Sequence, residues 1–175
     1  MKALAWSQKV SPLFAKTVLD IGEDLRIDPS WLMACMAFES GGTFSPSVRN
    51  GAGSGAVGLI QFMPQTASAL GTTTEELAGM IAEDQLEYVG LYFDSWVGRL
   101  HSLEDVYMAI LWPGAVGKPL DYVLFDKADS NHPKRYIQNS GLDLDKDGKI
   151  TKAEATSRVT RLLVEGSQPW NTTEG

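Results

Sequence analysis

The sequence predicts a mainly α-helical protein, and three observations carry that prediction. Helix-start signals recur along the chain: Ser11 with Pro12, Asp28 with Pro29, the run Thr72 to Glu76, and Ser102 with Asp105. Apolar residues between them recur at helical spacing, as in Leu86, Val89, Phe93 and Trp96. Glycine and proline clusters punctuate the helices, and no long alternating run argues for a large sheet.

In chain order, Ser11 and Pro12 open a helix carrying Leu13, Phe14, Val18, Leu19 and Ile21, expected to fray from Gly22 to Arg26. Asp28 caps a second helix over 29–39. Its residues Trp31, Leu32, Met33, Cys35, Met36 and Phe38 cover more than one face, which marks a buried helix. Residues 41–58 are rich in glycine and form a loop. Pro64 starts a helix to Leu70, ended by Gly71, and a short helix follows from the capped threonine run to about Met80. A longer amphipathic helix is expected over 83–100, and another over 103–112 that Pro113 stops. Residues 122–125 fit either a short strand or a helical turn. The segment 132–140 is short for a full helix, a last helix spans about 152–164, and the final ten residues are expected to be loose.

Composition bounds the function. The 175 residues suffice for one sizeable core with a small appendage. Fifteen basic against 22 acidic residues give a net charge of −7 with no basic stripe, which argues against nucleic-acid binding. Cys35 is the only cysteine, so there is no internal disulfide framework and no cysteine-based zinc site. No apolar run approaches the ~20 residues of a membrane span, and the first ten residues lack the apolar core of a signal peptide. His101 and His132 accompany no serine or cysteine motif, so a nucleophilic triad is not expected.

Glu39 is the residue least at home in its context. It ends the most apolar stretch of the chain and lies in the last helical turn, where the helix dipole disfavours a carboxylate. Apolar neighbours penalise its charge further, and both effects favour the protonated form that a general acid needs. The alternative is a glutamate that points into solvent. Glu39 to Gly42 (ESGG), together with Gly58 to Pro64 (GLIQFMP), resembles the lytic transglycosylase and goose-type lysozyme superfamily over roughly residues 29–125.

That resemblance implies a lysozyme-like fold, with residues 1–130 as the catalytic domain. It implies cleavage of the β-1,4 bond between N-acetylmuramic acid and N-acetylglucosamine in peptidoglycan, with Glu39 as the acid and then the base. Either a 1,6-anhydro sugar or a hydrolysed end results. No second carboxylate occurs between Glu39 and Glu75, and Glu83, Asp84 and Asp94 stay open as a further acid. By the same resemblance Ser54, Gln61 and Met63 line the sugar site, while Met63 and Phe62 also fit as plain core. The family's third motif, an Ala-Tyr-Asn-Ala-Gly-like segment, corresponds to Val106 to Gly117 (VYMAILWPGAVG) with neither the tyrosine nor the asparagine in register. Tyr107 or Trp112 is the candidate replacement.

Asp143 to Glu154 (DLDKDGKITKAE) matches the twelve-residue EF-hand loop. Asp143, Asp145 and Asp147 supply oxygens, Gly148 makes the turn, Lys149 offers its carbonyl, Thr151 acts directly or through water, and Glu154 closes the site. Residues 131–175 are therefore expected to form a calcium-binding segment packed on the catalytic domain, the Ca2+ being structural. A degenerate loop that holds no metal is the alternative. The assembled expectation is a monomeric bacteriophage endolysin, made in the host cytoplasm and released to the cell wall by a separate lysis protein. Its partner is the peptidoglycan glycan strand, with no nucleic acid and no membrane insertion. A hydrolytic muramidase is one competitor, a viral structural component with the same domain another, and a noncatalytic calcium-dependent glycan- or protein-binding module a third.

Overall fold

A computed structural model describes residues 3–49, 51 and 53–173. Helices α1 (Pro12–Leu25), α2 (Pro29–Glu39), α3 (Pro64–Ala69), α4 (Thr74–Gly79), α5 (Ala82–Phe93) and α6 (Leu103–Leu111) precede strand β1 (Val123–Asp126). Helix α7 (Pro133–Asn139), strand β2 (Lys149–Thr151) and helix α8 (Lys152–Gly166) complete the order. The predicted mainly helical architecture is present. The strands pair antiparallel, with Val123 opposite Thr151 and Phe125 opposite Ile150, so Leu124 is an extra residue in the ladder. Residues 122–125 thus resolve in favour of a strand.

Helix α2 is the central element, packing against α1, α6 and α8. Its residues Leu32 to Ala37 are all buried, as a helix apolar on several faces requires. Ile150, Ala155 and Val159 from the C-terminal segment join the same hydrophobic core as α1, α2, α5 and α6. No helix among the described residues is long and apolar enough to cross a membrane.

Three boundaries differ from the sequence reading. Helix α1 does not fray at Gly22 but continues to Leu25, and Arg26 ends it at φ 59°. Gly22 is there for packing: a Cβ on it would lie 2.7 Å from Pro29 Cβ, so only glycine lets the start of α2 approach this closely. The helix expected over 83–100 stops at Phe93 and passes into a 3-10 turn over Asp94–Trp96. Gly98, at φ 71°, then turns the chain away. Of the final ten residues, the described ones, up to Thr173, are not loose, and the last two lie outside the described residues. Pro169–Asn171 form a 3-10 turn, Asn171 is buried, and the Thr173 N–H donates to Ser7 Oγ at 2.7 Å.

Candidate active site and acidic loop

Glu39 is the last residue of α2, half-buried, and the chain behind it is pinned. Ser40 is buried, its N–H donates to Met36 O, and its Oγ accepts the Phe44 N–H at 2.9 Å. Gly42 donates to Ala37 O at 2.7 Å from a left-handed conformation, φ 81°, which ends the helix at this point. Burial pushes the Glu39 carboxyl up from 4.5 to about 7. Its charge is felt by three groups. The Cys35 thiol one turn earlier is raised first by burial and then by Glu39; the phenols of Tyr92 on α5 and Tyr107 on α6 are raised in the same order. Two tyrosines from two helices thus lie within electrostatic reach of the acid.

Tyr107 is buried and sets its ring edge-on against Phe38, centroids 5.5 Å apart. The helical register of α6 brings it against the residue before Glu39, although the sequence pattern of the third motif is out of step. Trp112, the other candidate, stacks edge-on with Phe125 of β1 at 5.2 Å. Tyr92 was not singled out by the sequence. Its hydroxyl donates to Ala109 O at 2.6 Å and its ring packs against Phe62 at 6.4 Å, which connects the glycine-rich segment to α5 and α6.

That segment folds into a tight turn. Val57 and Phe62 exchange backbone hydrogen bonds at 3.1 and 2.8 Å, and the Gly58 N–H donates to Val48 O at 2.8 Å. Gln61 occupies φ 54°, an unfavourable region for a residue with a Cβ. Its Nε2 donates to Val48 O at 3.0 Å and Gly58 O at 3.1 Å, while Oε1 is buried with no hydrogen-bond partner. The amide hydrogens therefore hold the turn, and the buried Oε1 is not open to solvent. Met63 is 45 % exposed and so is not core, whereas Phe62 is buried. Ser54 is exposed, and its Oγ accepts the Ala56 N–H at 3.3 Å.

Gln85 is a second residue that sequence reasoning missed. It is fully buried; Oε1 accepts the Leu59 N–H at 2.8 Å, and Nε2 donates to Pro46 O at 2.9 Å and Leu77 O at 2.8 Å. A Cβ on Gly58 would lie 2.3 Å from Gln85 Oε1, so this glycine leaves room for the amide. The available signal was register: Gln85 stands four and eight residues before Val89 and Phe93 on the buried stripe of α5. The other acids considered, Glu83, Asp84 and Asp94, line a groove of about 400 Å³ between α1 and α5 together with Asp24 and Glu87; Glu39 is not part of it.

In the C-terminal segment, one carboxylate oxygen each from Asp143, Asp145 and Asp147 lies within 4.8 Å of the others. Asp143 is buried: Oδ2 accepts from Tyr136 OH and the Gly148 N–H, while Oδ1 has no hydrogen-bond partner. A buried, unpartnered carboxylate oxygen facing two more carboxylates fits a hard cation with oxygen ligands. Gly148 at φ 87° makes the turn before β2, where Lys149 pairs with Asp126. Thr151 and Glu154 form the capping box of α8, and Glu154 Oε1 also accepts the Leu144 N–H at 3.1 Å. Thr151 therefore serves first as a helix cap, and Glu154 joins that cap to the loop.

One ion pair ties the segment to the rest. Lys152 Nζ lies 2.6 Å from Asp105 Oδ1, both side chains almost fully buried. Ser102 caps α6 as expected, but Asp105 does not complete the box; its carboxylate turns to Lys152, the Gly117 N–H and the His101 N–H. Burial works to raise the Asp105 carboxyl, and these three hydrogen bonds outweigh it, holding it below the usual range.

Residues 17–86 match the family model described as Transglycosylase SLT domain. The matched span contains Glu39, the glycine-rich turn, α3, α4 and the first residues of α5, including Gln85. The match supports a transglycosylase-type domain of the lysozyme-like superfamily that cleaves glycosidic bonds in peptidoglycan. No curated protein matches the chain.

Proposed function

We propose that the protein is a bacteriophage endolysin that cuts peptidoglycan between N-acetylmuramic acid and N-acetylglucosamine with Glu39 as its single acid–base group. The observation that carries the reading is the half-buried carboxyl of Glu39, raised to about 7 by burial at the end of α2. It lies inside the span that matches the transglycosylase model. A group with that pKa holds its proton near neutral pH and gives it up readily, the balance general acid catalysis needs.

In the proposed reaction Glu39 donates its proton to the glycosidic oxygen as the bond from C1 of N-acetylmuramic acid breaks. The resulting carboxylate takes the proton of the same sugar's 6-hydroxyl while O6 bonds to C1, closing a 1,6-anhydro ring. No water enters and the acid is regenerated. Tyr107 and Tyr92 lie within electrostatic reach of the acid, and Gln61 and Met63 lie on the glycine-rich turn that forms the proposed sugar wall, with Ser54 on its exposed approach. Glycan strands are the partner, a monomer the working form, and the host cytoplasm the site of synthesis before a separate lysis protein admits the enzyme to the wall.

The proposed structural Ca2+ would be held by Asp143, Asp145, Asp147 and Glu154, with Thr151 and the Lys149 carbonyl completing the set. When bound it neutralises the clustered carboxylates and cross-links the loop; it supplies nothing to bond cleavage. The test is clearing of a peptidoglycan suspension: wild type clears it and Glu39→Gln does not. Equal activity of the two removes the acid assignment. Mass spectrometry of the fragments then reads the chemistry, anhydro ends supporting ring closure and reducing ends a hydrolytic muramidase.

A further inference from the structure

Lys152 is buried at the first turn of α8, and all three of its ammonium hydrogens have acceptors: Asp105 Oδ1 at 2.6 Å, Ala115 O at 3.0 Å and Lys118 O at 2.8 Å. Asp105 in turn receives the Gly117 N–H at 2.8 Å, so the pair clamps α6, the loop after it and α8 to one another. Lys152 lies inside the acidic loop motif, between Thr151 and Glu154. The Glu154 carboxylate accepts the Leu144 N–H from the loop and the Thr151 N–H from the helix cap, so whatever orders the loop orders this turn. At the other end, Asp105 precedes Tyr107 by two residues on α6, and Tyr107 rests on Phe38 next to Glu39.

Stability alone gives little reason for such a pair. Burying an ammonium and a carboxylate carries a desolvation cost that two apolar side chains of the same volume avoid. What the pair adds is direction, because three carbonyl and carboxylate acceptors around one ammonium admit a single arrangement of the three elements.

We propose that Lys152 and Asp105 are positioning residues that transmit the order of the calcium loop to the face of α6 that sets Tyr107 against Phe38, the residue before Glu39. The proposal rests on the acid role of Glu39 and on calcium binding as given above. The experiment compares wild type with Asp105→Asn/Lys152→Met in the full chain, measuring calcium binding by calorimetry and clearing rates at several substrate loads, in calcium and in chelator. In wild type, chelation lowers the limiting rate about tenfold or more, as misplacement by about an ångström does, with little change in the half-saturating load. The double variant binds calcium as wild type does, clears slowly, and no longer responds to the metal.

A wild type that binds calcium yet clears equally fast without it overturns the proposal alone, as does a double variant with the full calcium response. Absence of calcium binding in wild type overturns the metal reading and the proposal with it, and absence of clearing overturns the enzymatic reading; calorimetry and clearing tell the two apart. If the double variant does not fold, Lys152→Arg takes its place. Its planar fork cannot reproduce three diverging donors, so its calcium response shrinks, and an undiminished response overturns the proposal.

Discussion

Replacing Glu39 by glutamine has a stability effect whose dependence on pH follows from burial. The Glu39 carboxyl stands at about 7 in the folded protein against 4.5 when unperturbed, a difference of about 2.5. At about 1.36 kcal/mol per unit, ionising it in place costs the folded state about 3 kcal/mol. The sign follows from proton uptake. Between pH 4.5 and about 7 the folded chain binds more protons at this site than the unfolded chain, so stability falls as pH rises through that window and the penalty is complete above it. Glutamine keeps the shape and cannot ionise. The stability of Glu39→Gln relative to wild type therefore improves by up to about 3 kcal/mol between pH 4.5 and pH 8. For a chain of this size that is roughly 2–4 °C in Tm per kcal/mol. Urea denaturation of both proteins across this range measures it. A stability difference that does not change with pH refutes the argument that burial holds the proton on Glu39. Wild-type clearing activity declines above about pH 7 as the acid loses its proton.

Three further outcomes follow from the packing. Gln85→Leu leaves the Leu59 N–H and the carbonyls of Pro46 and Leu77 without their partner, at about 1–3 kcal/mol for each buried group that water cannot reach, and denaturant melts read the loss. Gly58→Ala forces a Cβ into the same amide at φ 83°; a loss of about 1–3 kcal/mol is expected from the strained backbone alone, and an unchanged melting curve contradicts the close approach. Lys152→Met, which strands a buried Asp105 carboxylate, costs about 3–5 kcal/mol, whereas Asp105→Asn/Lys152→Met recovers most of it; equal losses in the two proteins count against a buried pair. Calcium at 100 times its dissociation constant adds about 2.7 kcal/mol to wild type, and a Tm indifferent to calcium and chelator argues against the site.

Local chemistry made much of the fold legible. Ser11 with Pro12, Asp28 with Pro29, the Thr72 to Glu76 run and Ser102 mark helix starts that the structure contains, because a cap acts over three or four residues and needs nothing distant. Helix ends were less legible where the cause lay in another element. Gly22 looks like a point of fraying until Pro29 is seen packed on it, and the residues up to Thr173 look loose until Ser7 is seen to hold them.

The helical class, the position of Glu39 at the end of an apolar helix, and the acidic spacing from Asp143 to Glu154 are all legible in the amino-acid order. Each is written in neighbouring residues. The three-dimensional packing alone sets Tyr107 against Phe38 and Tyr92 against Phe62, lets Gln85 prop the glycine-rich turn, and brings Asp105 to Lys152 across 47 positions. Those contacts join residues far apart in the chain, and each involves a polar group whose place is set by burial. Periodicity can say that a position faces inward; which buried donor meets which buried acceptor depends on how the helices cross.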